Sequence, residues 1–294
     1  MKRWCIDRMD ISFSCGPAGR LMVGCPRLQK PLKLALFADW HSAHDDERGE
    51  PFRQYSCRMA QWHHPMEGVL MRMLQEAADK GAEAALFAGD MISFPTEKGV
   101  EILRDIMERS PIPCYYISGN HDWHYEGLPG SDLELRREWT AKRLMPLFNG
   151  QDPLMYAVRL ADLKILMMDN SPSRILPEQL DWLKRELAED IPAVLCVHVP
   201  FFIPGTDQSV STCMGHPDWG WESDPYFEIE RRERWPKSGV SDTTRAFLET
   251  AWSSGNLLGI LCGHTHCLAG MMYRGKVQIV AGAGALNLIE FNPA

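Results

Sequence analysis

The stretch Ile117-Ser118-Gly119-Asn120-His121-Asp122 decides how the rest of the chain can be interpreted. It continues an apolar, β-prone run over residues 113–117, so its polar part is expected in the loop that leaves the C-terminal end of a strand. Ligand sites in open α/β sheets lie at those ends. Glycine allows a sharp turn, and the next three side chains offer an amide oxygen, a titratable ring and a carboxylate able to orient that ring. Alone, these residues are a weak signal.

Four other short stretches share this build, an apolar strand that runs into residues able to bind a metal ion. They are residues 34–38 before Asp39-Trp40-His41, residues 84–88 before Gly89-Asp90, residues 193–197 before His198, and residues 257–262 before Gly263-His264-Thr265-His266. In extended chain, positions i and i+2 project to the same side, so Asp39 and His41 are expected to point one way, as are His264 and His266. Adjacent residues such as Asn120 and His121 should diverge, so that one can bind metal while the other faces substrate.

The ordered series D-x-H, G-D, G-N-H-D, H and G-H-T-H resembles the calcineurin-like metallophosphoesterase family, a superfamily of dinuclear metallophosphatases. The motifs run from Asp39 to His266 in the family's order, and the joint match is far more specific than any one of them. The resemblance implies an α/β fold of a particular kind, a four-layer α/β/β/α sandwich with two mixed β-sheets. Sequence pattern alone supports only an α/β domain with converging strand-end loops.

The resemblance also implies a set of metal ligands. The first metal would be held by Asp39, His41 and His266, the second by Asn120, His198 and His264, and Asp90 would bridge the two. His121 would protonate the leaving oxygen or stabilise the transition state, with Asp122 fixing its ring. These nitrogen and oxygen donors suit two divalent ions of Mn, Fe, Zn or Co, with Mn favoured, better than Ca or Mg. A bridged pair can acidify a shared water for in-line displacement.

Two branches of the superfamily fit the sequence less well. Purple acid phosphatases carry a tyrosine three residues after the aspartate, where this chain has Ser93. Protein Ser/Thr phosphatases resemble G-D-x-V-D-R-G and G-N-H-E, whereas this chain lacks that arginine and has Asp122. The series is closest to the small-molecule phosphodiesterase and phosphomonoesterase branches. The expected function is therefore hydrolysis of a small phosphodiester or phosphomonoester by a metal-bridging hydroxide.

A nuclease is the alternative within enzymes, and a catalytically silent scaffold that keeps the fold is the alternative outside them. The formal net charge of −8 argues against a nuclease, because long nucleic acids are bound by clustered Lys and Arg. Silent relatives generally lose ligands or the equivalent of His121, and this sequence has lost neither. The expected partner is a small phosphoester, and the oligomeric state is left open.

Composition places the chain among ordinary globular proteins, with 294 residues of which 45% are hydrophobic and 24% charged. Its nine cysteines form no C-x-x-C pair, which is typical of free thiols in the cytoplasm. Residues 1–10 are followed by no apolar signal region, and no apolar run is long enough to cross a membrane. We therefore expect a cytoplasmic protein without membrane partners.

The chain is expected to form a single domain over residues 1–294 with two additions. The pattern of residues 1–31 predicts a hairpin extension that pairs at the edge of a sheet. Residues 205–240 lie between two metal motifs and are rich in Gly, Pro, Trp and charge, which predicts a lid-like insertion, since long loops are usually functional or disordered. Helical spacing predicts helices over residues 66–80, 98–109, 132–147, from 177 onward and 241–253.

Overall fold

The computed structural model describes residues 12–15, 21–46, 48, 66–124, 131–219 and 239–293. Within these ranges the chain forms two six-stranded sheets and five α-helices. The strands are β1 (Ser12–Cys15), β2 (Leu21–Gly24), β3 (Leu32–Phe37), β4 (Ala84–Ala88), β5 (Cys114–Ile117), β6 (Met155–Leu160), β7 (Leu163–Met168), β8 (Ala193–Cys196), β9 (Leu257–Cys262), β10 (Ala269–Tyr273), β11 (Lys276–Val280) and β12 (Asn287–Asn292). The helices are α1 (Glu67–Asp79), α2 (Glu97–Arg109), α3 (Asp132–Trp139), α4 (Pro177–Ala188) and α5 (Asp242–Ser253). None of these described helices is long and apolar enough to cross a bilayer.

Both sheets mix parallel and antiparallel pairs. The first has the order β1-β2-β12-β3-β4-β5, in which β3, β4 and β5 run parallel and β12 is antiparallel to β3. The second has the order β10-β11-β9-β8-β7-β6, in which β7, β8, β9 and β11 run parallel and the two edge strands are antiparallel. The parallel strands of each sheet therefore end at one edge, where ligand sites form.

The apolar side chains of the second sheet divide between two cores. On β7, Ile165 and Met167 belong to a core that also holds residues of the first sheet and of helices α1, α2 and α3. The alternate residues Leu166 and Met168 pack instead with side chains of α4 and α5. Burial on both faces explains why β7, apart from Lys164, is apolar rather than alternating. The predicted α/β sandwich with two mixed sheets and flanking helices is confirmed.

The two predicted additions are described only in part. Strand β1 pairs antiparallel with β2 at the edge of the first sheet, while residues 1–11 and 16–20 lie outside the described residues. At the start of the insertion, the Met214 amide donates to the carbonyl of Pro200 over 2.7 Å, and the Met214 side chain is buried in the second core. This part of the insertion is built into the domain. Residues 220–238 lie outside the described residues, so the lid stays a prediction.

The helix predicted over residues 132–147 is broken, which corrects that expectation. Helix α3 begins with a capping box between Ser131 and Glu134 and ends at Trp139. A π-helical turn (Thr140–Leu144) and a 3-10 turn (Met145–Phe148) follow, and the Met145 amide donates to the carbonyl of Thr140, five residues back. The physical reason is Pro146, which cannot donate and whose ring would collide with the carbonyl four residues earlier in a regular helix.

Candidate metal centre

Five loops carry the predicted ligands, and each leaves the C-terminal end of a parallel strand. The loops after β3, β4 and β5 belong to the first sheet, and those after β8 and β9 to the second. Three groups of side chains bring their donor atoms within 4.8 Å of one another: Asp39 with His41 and His266, His41 with Asp90 and His121, and Asp90 with His198 and His264. Asp90 is thus common to both halves of the cluster.

The first half of the cluster combines donors from both sheets. His41 Nε2 and His266 Nε2 lie 2.9 Å apart, and His266 Nε2 is 3.7 Å from Asp39 Oδ1. Asp90 Oδ2 lies 3.9 Å from His41 Nε2. Ligands bound to one ion at about 2.0–2.2 Å are separated from each other by roughly 3–3.5 Å. The donor set and these separations fit a transition-metal ion.

The second half is more compact and more deeply buried. His198 Nε2 lies 3.2 Å from Asp90 Oδ2, 3.1 Å from Asn120 Oδ1 and 3.3 Å from His264 Nδ1. The other ring nitrogen, His198 Nδ1, is 2.8 Å from the carbonyl oxygen of Ala88, to which it can only donate. In the neutral ring the lone pair is therefore on Nε2, the atom that faces the other donors, as in histidines that bind metals.

The backbone at the ligands is left-handed rather than extended. Positive φ angles occur at Asp39 (54°), His41 (51°), Asp90 (54°), His264 (73°) and His266 (61°). Such angles cost a non-glycine residue on the order of 1–3 kcal/mol each and persist only where the surroundings impose them. The expectation that i and i+2 positions share a side because the chain is extended is therefore wrong. Tight turns past the strand ends bring Asp39 and His41 to the same half of the cluster, whereas His264 and His266 go to different halves.

Backbone hydrogen bonds between the loops impose these turns. The amide of Asp39 donates to the carbonyl of Gly89 over 3.1 Å, and that of His41 to the carbonyl of Asp90 over 2.9 Å. In the second sheet, the amide of Gly263 donates to the carbonyl of His198 over 2.9 Å. Because each bond joins two ligand-carrying loops, the loops hold one another in place without a metal ion.

Two glycines of the motifs allow the loops to approach this closely. A Cβ on Gly119 would lie 2.2 Å from Asp90 Oδ1, and one on Gly263 would lie 2.5 Å from Ala38 Cβ and 2.7 Å from Asp39 Oδ2. These distances are far below van der Waals contact. The glycines before the ligands are therefore a packing requirement of the site, beyond the turn flexibility expected from sequence.

Asp122 does not have the partners expected of it. Its buried carboxylate accepts three backbone N–H groups, from Asp90 at 2.8 Å, Gly119 at 2.7 Å and Ile92 at 2.9 Å. We therefore correct the expectation that Asp122 fixes the ring of His121. A carboxylate that gathers three amides from two loops instead fixes the backbone that carries Asp90.

His121 and Asn120 diverge toward opposite halves of the cluster. The Asn120 carbonyl oxygen faces His198, whereas the His121 ring meets the ring of His41 edge-on, with centroids 4.7 Å apart. The backbone amide of His121 donates to Asp90 Oδ1 over 2.7 Å, which anchors the residue to the shared carboxylate. His121 therefore lies beside the first half of the cluster, with its own ring nitrogen among possible ligand atoms.

Sequence reasoning missed Asn170, which holds the His198 loop. Its buried Oδ1 accepts the amides of His198 at 3.0 Å and Val199 at 2.9 Å, and its Nδ2 donates to the carbonyl of Val199 over 2.7 Å. The signal was present, because Asp169-Asn170 follows the apolar strand β7 as the ligands follow theirs. Asn170 belongs to none of the metal-ligand motifs, which is why the sequence does not single it out.

Three buried carboxylates give the cluster its electrostatic character. Burial raises the pKa of Asp39 to about 7 and that of Asp122 to about 7, and in both cases the negative charge of Asp90 adds to the effect. Burial opposes ionisation of Asp90 as well, but its histidine neighbours hold its pKa well below the usual range. Burial lowers the pKa of His198, but Asp90 outweighs it and raises that pKa to about 10. A cluster with this surplus of buried acid fits bound cations.

Comparison with known proteins adds a family and a fold. A sequence model of the calcineurin-like phosphoesterase family matches residues 32–268. No curated protein matches the chain. A dimetal phosphatase from Danio rerio is 14% identical, with 86% of this chain and 87% of that chain covered and a TM-score of 0.52, a likeness that concerns the fold.

Two other solved structures are similar at lower scores. The phosphopantetheinyl hydrolase of Mycobacterium tuberculosis is 12% identical, covers 87% of this chain and 91% of that chain, and has a TM-score of 0.43. GAP50, the anchor in the inner membrane complex of Plasmodium, is 11% identical and has a TM-score of 0.46, and the match covers 88% of this chain and 76% of that chain. Since the family match extends over most of the sequence and over every ligand motif, the chain belongs to the calcineurin-like phosphoesterase family.

Proposed function

We propose that this protein hydrolyses a small-molecule phosphate ester, a phosphodiester or a phosphomonoester, with two divalent transition-metal ions. The observation that carries the proposal is the convergence of seven oxygen and nitrogen donors from five strand-end loops, with Asp90 common to both halves. Membership of the family supports metal-dependent phosphoester hydrolysis in general. The choice of a small substrate, and of Mn over Fe, Zn or Co, belongs to the proposal.

The proposed ligand assignment follows the two halves of the cluster. One ion is assigned to Asp39, His41 and His266, the other to Asn120, His198 and His264, and Asp90 to both. When bound, such a pair of ions supplies an acidified water and positive charge for the phosphoryl oxygens. The assignment is supported by the bond between His198 Nδ1 and Ala88, because it directs the ring's lone pair to the cluster.

His121 is the residue we propose to act on the leaving group. Its ring stands at the edge of the cluster beside His41, and its amide is tied to Asp90. From there it can donate a proton to the leaving oxygen or contact the charge that develops on the phosphoryl group. The role of Asp122 in this proposal is positional, since it holds the amides of Asp90 and Gly119.

The charge of the chain supports a small substrate over a polymer. A formal net charge of −8 gives no general attraction for a long polyanion, whose binding depends on clustered Lys and Arg. A small phosphoester makes its charge contacts inside the centre itself, where the ions provide them. The net charge of the chain therefore favours a small-molecule substrate over a nucleic acid.

The test is a substrate panel on protein of known metal content. Elemental analysis should find two transition-metal ions per chain, and hydrolysis of small phosphomonoesters or phosphodiesters should stop with chelator and return with Mn. Faster hydrolysis of single-stranded oligonucleotides would identify a nuclease instead. A wild-type protein that binds two ions but hydrolyses no ester, and whose activity is no different from that of Asp90→Asn, would be a silent scaffold.

A further inference from the structure

A cavity of about 490 Å³ opens beside helix α3, and no proposed metal ligand lines it. Its apolar wall includes Leu133, Leu154 and Leu176, and Met145 lies at its mouth with 42% of its surface exposed. Cavities of about 300–1,000 Å³ with mainly apolar walls and a few polar groups are typical of small-molecule sites. We call this space, lined also by Arg136 and Asp169, the Arg136 cavity.

Arg136 supplies the polar group. Its side chain is only 6% exposed, and Nη1 lies 3.6 Å from Asp169 Oδ2, which is an ion pair but longer than a hydrogen bond. Among the residues that the structure describes, no acceptor lies within hydrogen-bonding distance of Nη1. A buried N–H donor without an acceptor is unfavourable, so its presence in a native protein calls for an explanation.

Asp169 cannot easily turn to satisfy Arg136, because its other oxygen is already engaged. Asp169 Oδ1 accepts the amide of Ser171 at 2.8 Å and the hydroxyl of Ser171 at 2.5 Å. The carboxylate thereby compensates the charge of Arg136, and Nη1 stays a buried donor without an acceptor beside the cavity. At the rim, Arg137, Asp152 and Glu178 are exposed, so water screens their charges and none of them decides what binds at the buried end.

The broken helix creates the space. Thr140 and Ala141, the first two residues of the π-helical turn, line the cavity. An isolated π-helical turn is rare and is frequent at functional sites, because it displaces the side chains that a regular helix would stack. The same break that Pro146 imposes on the chain thus leaves a groove above Arg136.

We propose that the Arg136 cavity binds a small amphiphilic carboxylate, a molecule with an apolar body and one anionic head. The head accepts a charge-assisted hydrogen bond from the guanidinium of Arg136, which lines the cavity, and such a bond is stronger than one to a neutral acceptor. The apolar body lies against Leu133, Leu154 and Leu176. Binding at this position does not depend on the proposed hydrolytic function.

The cavity is also connected to the catalytic loop. Ser171, which donates to Asp169, accepts a hydrogen bond from Trp123 Nε1 at 2.8 Å. Trp123 directly follows Asp122, the residue that holds the backbone of Asp90. Three contacts, from Arg136 to Asp169, on to Ser171 and on to Trp123, therefore lead from the cavity to the neighbour of Asp122. An effect of the ligand on turnover would follow this route and rests on the proposed function.

The test measures the binding of decanoate and of its neutral analogue decanol by titration calorimetry on full-length protein. We expect one decanoate per chain, and decanol bound at least about tenfold more weakly, since the charged head loses its partner. Equal affinity for the two would overturn the role of Arg136. Absence of decanoate binding at millimolar concentration would overturn the proposal.

Two variants and a control locate the ligand. Ala141→Trp fills the cavity from its exposed side and should abolish decanoate binding. The control Glu138→Trp changes an exposed residue of helix α3 that does not line the cavity, and this variant should bind decanoate as the wild type does. Arg136→Lys keeps the charge beside Asp169 but loses the planar fork, and should weaken binding about tenfold. Unchanged binding by Ala141→Trp would place the ligand elsewhere. Thermal unfolding of each variant shows that it is folded.

Discussion

The metal centre and the Arg136 cavity are built in different ways. In the candidate metal centre the proposed ligands follow strand ends by two to four residues, and left-handed backbone at residues such as Asp39 and His264 turns them inward. The cavity is assembled from segments far apart in sequence, around a helix that breaks before Pro146. The first kind of site leaves short motifs in the sequence, and the second leaves almost none. If the two sites are separate, a change in the candidate metal centre should leave decanoate binding at the cavity unaltered.

The largest effect is expected for Asp90→Asn. The bridging carboxylate serves both ions in the proposed assignment, so hydrolysis should fall to background and elemental analysis should show reduced metal at both positions. Loss of a supporting contact alone typically costs 10–100-fold, and loss of a shared ligand should exceed about 100-fold. Decanoate binding at the Arg136 cavity should be unchanged. Two ions per chain with normal turnover would end the assignment.

Gly119→Ala should approach the effect of Asp90→Asn without removing any ligand. The added Cβ would lie 2.2 Å from Asp90 Oδ1 and must displace it. We expect loss of metal and a destabilisation of about 1–3 kcal/mol in denaturant unfolding, as for other overpacked positions. Gly255→Ala is the matched control, because a Cβ there meets nothing within 4 Å. Full metal content in Gly119→Ala would show that the close approach is dispensable.

His121→Ala separates chemistry from metal binding. A positioned general acid contributes about 10²–10⁴-fold, so turnover should fall by that factor while both ions stay bound. The loss should be largest for alkyl esters and smaller for p-nitrophenyl esters, whose leaving oxygen barely needs a proton. Equal losses across a leaving-group series would reduce His121 to an electrostatic contact. Metal lost together with activity would make it a ligand, as its place beside His41 and Asp90 allows.

Asn170→Ala tests a residue that holds the His198 loop but belongs to no metal-ligand motif. Without its amide, the backbone N–H groups of His198 and Val199 lose their shared acceptor in a buried loop. We expect metal affinity to fall 10–100-fold and unfolding free energy to fall by about 1–3 kcal/mol. Metal titration followed by calorimetry gives the first quantity, and urea unfolding the second. Wild-type values for both would mean that β8 alone positions His198.

The smallest effect is expected for Ser171→Ala, which cuts the link between the two sites. Metal content and decanoate binding should be unchanged, and turnover should change by less than about tenfold, the equivalent of one hydrogen bond. Any response of wild-type turnover to decanoate should disappear in this variant. If the response persists, the route through Trp123 is not the one that connects the sites.

The sequence was sufficient to predict the fold class and the convergence of the candidate donor residues, for a physical reason. Apolar runs such as residues 84–88 are buried on both faces, so their strand character and their ends can be recognised from composition alone. Polar residues that follow such ends converge because parallel strands end together. The observed cluster of Asp39, Asp90 and His198 with their neighbours is the outcome of that rule.

The contacts between loops were not predictable in the same way. Asp122 was assigned to the ring of His121 from adjacency, yet its carboxylate reaches amides of the neighbouring loop, thirty or more residues away for Asp90 and Ile92. Asn170 acts through two backbone N–H groups that no side-chain pattern reveals. The break before Pro146 could have been predicted, since proline is poorly tolerated inside a helix. The cavity that it opens depends on tertiary packing.

The distribution of the donors between the sheets has a mechanical consequence. Asp39 and His41 extend from the first sheet, whereas His266 extends from the second, so an ion held by all three would cross-link the two halves of the sandwich. A ligand present at 1,000 times its dissociation constant stabilises the folded state by about 4 kcal/mol. Removal of the ions by a chelator should therefore break this cross-link and loosen the packing of the core between the two sheets, even at a distance from the centre. Hydrogen exchange in β5 and β7, whose strands face each other across that core, would report the loosening.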